Sequence, residues 1–145
     1  MGIVDDLLAN PGLYVGIDSV TNSDVRGASR VVVTALPGRA GVTLDYDIFN
    51  PAFPDNPRGH AEHSVIARTH DGDVVMVVAD THSPSVAILH EGEPGVFEPR
   101  DGAVPYPQKV VLSMPQPGQI RHAWWYGSPG EQAVERDVSD LRLIE

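Results

Sequence analysis

Four of the six histidines fall where an imidazole would share an apolar strand face. His122 is in phase with Ile120, Trp124 and Tyr126, and His90 with Val86 and Ile88. His82 follows Val74, Met76, Val78 and Asp80 at the same parity, and His63 precedes Val65 and Ala67. Side chains two apart on a strand point the same way, so each set predicts an inward histidine. Imidazole donates, accepts or ligates and titrates near physiological pH, so such a lining would orient the polar end of a bound molecule. Taken singly, each reads more readily as a core histidine bonded to backbone, and it is the cluster of four that points to a ligand. Trp124-Trp125-Tyr126 places Trp124 and Tyr126 beside His122, as a stacking wall for a flat ligand or as a plug, with Trp125 opposite. Tyr46 is in phase with Val42, Leu44 and Ile48. The expected ligand-facing set is Tyr46, His63, Met76, His90, His122, Trp124 and Tyr126.

Other chemistry finds less support. His60 and His63 are three apart, which on a strand sends them to opposite faces, so they do not form a metal pair without a bulge. Pro117-Gly118-x-x-x-His122 resembles half of a cupin motif whose paired His-x-His is missing. No metal centre is expected. There is no Gly-x-Ser-x-Gly elbow, no phosphate-cradling loop and no cysteine, which removes thiolate chemistry and disulfides together. Asp45 and Asp47 share the face opposite the apolar one and read as solvated surface. Glu62 and Asp80 are the carboxylates expected nearest an interior, and Asp80 with His82 is the candidate acid–base pair.

The elements that must position these groups are short strands. Ile3, Val4, Leu7 and Leu8 recur at helical spacing until Asn10-Pro11-Gly12. Beyond it, strands are predicted near 13–20, 28–36, 41–49, 60–69, 73–81, 85–91, 95–98, 107–114, 119–127 and 133–144. The dividers are Pro37-Gly38, a three-proline loop from Asn50 to Gly59, Asp71-Gly72, Asp101-Gly102, Pro117-Gly118 and Ser128-Pro129-Gly130. The 14 Gly and 13 Pro of this 145-residue chain are a high share that suits many turns. Ten short strands with too little helix to cover a parallel sheet predict one all-β domain over 1–145, an antiparallel up-and-down β-barrel with a short N-terminal helix at one mouth.

The chain carries 10 basic and 20 acidic residues, a formal charge of −10, and its nine arginines and Lys109 are scattered. Such a surface repels phosphate backbones, so neither nucleic acid nor an anionic membrane is an expected partner. With no secretory leader and no long apolar run, a cytoplasmic location is the expectation.

His60-Ala61-Glu62, the run Asp71-Gly72-Asp73-Val74-Val75-Met76-Val77-Val78-Ala79 and the later Val86-Ala87-Ile88-Leu89-His90-Glu91-Gly92 resemble the nitrobindin-like family of ten-stranded barrels, relatives of the fatty-acid-binding proteins and lipocalins. Gly12-Leu13-Tyr14-Val15-Gly16 is similar to the Gly-x-Trp-x-Gly opening of the wider calycin group, with Tyr14 for Trp, and Leu141-Arg142 resembles its closing Leu-Arg. The resemblance implies a calycin-like barrel and, since several members bind b-type haem, raises haem as a cofactor. Those members hold the iron by a last-strand histidine; here that place falls near Arg136, and another axial ligand such as His90 or His122 would be required.

The expected function is binding of a small hydrophobic or aromatic molecule inside the barrel. The alternative is an enzyme on the same barrel, haem-dependent or a cofactor-free isomerase or cyclase. A third reading makes the outward Trp125 part of a homodimer interface.

Overall fold

The computed structural model describes residues 2–50, 55, 58–100 and 106–145, with Arg58 placed by its backbone alone. Most of the predicted proline-rich loop and the Asp101-Gly102 turn lie outside these residues. Helix α1 (Ile3–Ala9) is followed by strands β1 (Gly12–Val20), β2 (Arg26–Ala35), β3 (Gly41–Phe49), β4 (Arg58–Arg68) and β5 (Val74–Asp80). Then come β6 (Ala87–Glu91), β7 (Val96–Pro99), β8 (Gln108–Ser113), β9 (Gln119–Tyr126) and β10 (Val134–Leu143). Every predicted strand is present. Each pairs antiparallel with its sequence neighbour, and β1 pairs with β10, closing the barrel. Closure of this kind removes the two free edge strands an open sheet would present.

Closure depends on how tightly the first and last strands meet. Gly16 in β1 stands opposite Leu141, and a Cβ built there would lie 1.8 Å from the Asp140 carbonyl oxygen. Only glycine allows that approach. The Pro37-Gly38 corner turns for a different reason, since Gly38 sits at φ 75° where a side chain is disfavoured.

The helix closes one end. Ile3, Val4, Leu7 and Leu8 are its buried face, packed on β2, β3 and β4, while Asp5 and Asp6 suit the positive end of its dipole. Asp5 also pairs with Arg68 at the end of β4. Asn10 finishes the helix, its Nδ2 donating to the Asp6 carbonyl at 2.9 Å, and its own carbonyl accepts the Tyr14 hydroxyl at 2.6 Å. Below this cap the barrel is solid: Tyr14, Leu44, Ile66, Met76, Leu89, Phe97, Leu112 and Leu141 are fully buried. Burial of each such side chain contributes roughly 1.5–3 kcal/mol. Met76 therefore belongs to the packed half, not to a ligand surface. No helix among the described residues is long and apolar enough to cross a membrane.

The inward faces correct two of the expected histidines. On β4 the inward residues are His60, Glu62, Ser64 and Ile66, all buried, so His63 points out, where its Nδ1 meets Asp45 at 2.5 Å. On β6 Leu89 is inward, which turns His90 outward with Ile88, itself 49% exposed. In both strands the apolar residues used as a guide lie on the outer face. Asp47 is a third correction: it is 5% exposed, with Arg30 from β2 folded across it at 2.8 Å. Its carboxylate is an ion-pair partner under a guanidinium, not a solvated charge.

Candidate functional site

The inward parity of β1, β3, β4, β9 and β10 changes from apolar to polar halfway along the barrel. The end away from the helix holds a cavity of about 590 Å³. This is within the roughly 300–1,000 Å³ typical of small-molecule sites. Trp124, Tyr126, Tyr106, His60 and His82 give it aromatic walls, and Val20 and Ile48 add apolar surface. Asp18 and Asp137 lie on one side.

The rings form a continuous run. His60 stacks on His82 at 5.2 Å and 22°, and Trp124 lies 5.1 Å from His60 and 5.2 Å from Tyr126. His82 follows the end of β5 and stays exposed at the mouth, its backbone N–H held by the Asp80 carboxylate at 2.7 Å. That bond ties Asp80 to a turn, so the pair expected to do acid–base work is a local cap on the loop.

Beneath this run lies a buried polar cluster. Glu62, 6% exposed, faces the Nε2 atoms of His60 at 3.6 Å and His122 at 3.8 Å, and accepts the Ser64 hydroxyl at 2.8 Å. Burial pushes its carboxyl up, but the two imidazoles outweigh that and hold it well below the usual carboxylate range. Neither Nε2 contact is short enough for a hydrogen bond, so the carboxylate meets both rings at electrostatic range. Tyr46 stacks on His122, with centroids 4.7 Å apart, and meets His60 edge-on at 5.8 Å.

The Tyr46 hydroxyl bonds to the Ser139 hydroxyl, and Ser139 Oγ donates to Asp18 Oδ1 at 3.1 Å. Ser139 has one proton and gives it to Asp18, so Tyr46 must donate to Ser139. Burial, with the carboxylates of Asp18, Glu62 and Asp137 nearby, pushes the Tyr46 phenol well up and keeps it a neutral donor. Burial and the neighbouring Asp137 push the Asp18 carboxyl up to about 6, and burial raises Asp137 as well.

A β-bulge decides which group faces this pair. Between Glu135 and Asp137 the β9–β10 register slips by one, leaving Arg136 without a partner and setting Asp137 opposite Trp124. Arg136 turns outward, its Nε donating to the Tyr126 carbonyl at 3.2 Å.

A raised carboxyl destabilises the fold once ionised. Stability contributed by protonated Asp18 is complete below its ordinary value of 3.8 and is lost as pH rises through about 6. Asp18→Asn should therefore raise stability at neutral pH by about 1–2 kcal/mol, after allowing for partial solvent screening. Urea melts on both proteins at neutral pH and near the ordinary carboxyl value check this; an unchanged difference between the two conditions would contradict it.

Of the seven expected ligand-facing residues, Tyr46, His122, Trp124 and Tyr126 converge on this half of the barrel. Met76 lies below it, and His63 and His90 lie outside. The members not placed in that set are His60, Glu62, Ser64, Asp18, Asp137 and Ser139. The alternating His60-x-Glu62-x-Ser64 ahead of Ile66 was their clearest signal. Trp125 is outward as expected, with the Lys109 ammonium 4.2 Å from its ring centroid.

Fold and site together define a closed ten-stranded antiparallel barrel, packed solid under its helix and open into a cavity at the other end. Over 97% of its length the chain matches 98% of Rv2717c from M. tuberculosis, a crystal structure, with TM-score 0.67 and 14% identity. That likeness is one of fold. No family model matches the chain, and no curated protein does.

Proposed function

We propose that the protein binds a small hydrophobic or aromatic molecule in the cavity of its calycin-like barrel. The observation that carries this is a 590 Å³ space, walled by Trp124, Tyr126 and Tyr106, above a fully packed core. Such rings supply large apolar contact at little entropic cost, and burial of ligand surface at roughly 25 cal/mol per Å² drives association. Trp125→Phe leaves Trp124 as the only tryptophan, so its emission reports on the cavity. Titration with the neutral probe N-phenylnaphthylamine should shift that emission saturably, and Trp124→Ala should weaken probe binding by roughly tenfold. No saturable binding would end this reading.

The family resemblance raises haem, and these side chains do not fit it. The buried Nε2 atoms of His60 and His122 both face Glu62, and the His60 ring is covered by His82 and Trp124. The place near the family's last-strand histidine is held by the bulge residue Arg136. Haemin titration should give no Soret band of a histidine-ligated iron.

A cofactor-free proton-transfer enzyme is the second reading, favoured by the Tyr46–Ser139–Asp18 chain at the cavity wall. Proton NMR of ligand recovered after prolonged incubation in D2O separates the two: a binder returns it unchanged, whereas proton transfer rearranges it or exchanges its protons for deuterium.

A further inference from the structure

We infer that the molecule this cavity takes carries a positive charge, an organic amine with an apolar or aromatic body, its ammonium seated between Asp18 and Asp137. The inference rests on the cavity reading above and names the chemistry of its occupant.

Among the described residues the cavity offers two carboxylates, and its only titratable bases are the imidazoles of His60 and His82. Asp18 and Asp137 both border it, and no Lys or Arg side chain lines it among the described residues. Arg136, the cation nearest in sequence, is turned out by the bulge onto the backbone of Tyr126. Ser139 gives its one proton to Asp18 Oδ1, and among the described lining residues no Lys or Arg meets the remaining acceptors of Asp18 or Asp137. Ionising both carboxylates in this half-buried pocket is costly: burial and repulsion from Asp137 push the Asp18 carboxyl up, and burial raises Asp137. A bound ammonium would convert that repulsion into two charge-assisted hydrogen bonds.

An independent observation points the same way. His60 is 5% exposed, its ring borders the cavity, and its Nδ1 has no hydrogen-bond partner. With the Nε2 side of the ring turned to the Glu62 carboxylate, the N–H belongs on Nε2 and Nδ1 is left as a lone-pair acceptor. A buried acceptor without a donor calls for a ligand that supplies one. The Trp124 ring at the cavity wall favours a cation too, since ring quadrupoles attract positive charge, while the Tyr126 ring already has the Arg136 guanidinium over it at 5.4 Å. Carboxylate and phosphate ligands meet the opposite field, so a fatty acid is the wrong occupant in spite of the barrel.

Calorimetric titration with phenylbutylamine, phenylbutanol and phenylbutyrate, three head groups on one body, tests this at neutral pH. The amine should bind at least roughly tenfold more tightly than the alcohol, with the acid weakest. Asp137→Asn and Asp18→Asn, close in shape to the originals, should each bring the amine to within about twofold of the alcohol measured in the same variant. If the alcohol binds but the amine gains nothing, or if the acid binds best, the cationic inference is overturned and the cavity reading stands. Binding of none of the three, with no saturable probe binding either, overturns both. A circular dichroism melt of each variant confirms that folding is retained, and a loss far larger for the amine than for the alcohol is the signature no folding defect would give.

Discussion

Glu62→Gln is expected to cost about 3 kcal/mol of folding stability at neutral pH, for a change of one atom. The side chain is nearly sealed from water and faces two imidazoles, His60 and His122, which are themselves buried. Removing one member of a buried charged group leaves the others desolvated without compensation, typically at 3–5 kcal/mol. The lower end applies because the amide can keep the Ser64 bond at 2.8 Å and because imidazoles can stay neutral. The pH profile distinguishes this from a packing defect. The native carboxyl is held below its ordinary 4.5, so its contribution is complete above that value and erodes only in stronger acid. Denaturant melts should show the full deficit down to about the ordinary carboxyl range and a shrinking one below it. A variant as stable as the parent at neutral pH would refute the role given to this cluster.

Gly16→Ala should be comparably damaging for a reason without charge in it. The added methyl would stand 1.8 Å from the Asp140 oxygen and 2.7 Å from the Leu141 Cα, both backbone atoms of β10. No rotamer relieves that overlap; the β1–β10 seam has to part, and with it the closure of the barrel. A loss of about 3–5 kcal/mol is expected, at the severe end for a single methyl. Gly92→Ala is the control, since a Cβ there meets nothing within 4 Å. Hydrogen exchange should show faster opening at the amides of β1 and β10 in the first variant alone. Equal stability of the two variants would mean the seam has slack that its geometry does not show.

Much of the architecture was legible because turns are written in Gly, Pro, Asp and Asn, and those residues stood at the right intervals. Faces were legible where a strand alternates cleanly. Val42, Leu44, Tyr46 and Ile48 on β3, and Ile120, His122, Trp124 and Tyr126 on β9, gave the interior correctly. Alternation misled on β4 and β6, where the apolar residues near the histidines lie outside and the inward side of β4 is polar. Hydrophobicity marks the interior only where the interior is dry and filled. At a cavity the inner wall carries acceptors and charge, so the most functional face looks like surface. Asp137 was hidden for a further reason: its phase depends on a register slip at Arg136, and no propensity announces a bulge.

That slip means the charge of the cavity's wall is held by the length of the strand rather than by its composition. Glu135 faces out opposite Trp125, so the next residue of an unbulged strand faces in opposite Trp124. Loss of Arg136 would straighten β10 with an aspartate in that place; loss of Asp137 would straighten it with an arginine there. Two single-codon deletions, side by side in the gene, would leave the same barrel with a carboxylate pair in one and a carboxylate–guanidinium pair in the other. The second such step would cancel the wall's excess of negative charge without a substitution anywhere, and comparison by sequence alone would score it as a gap.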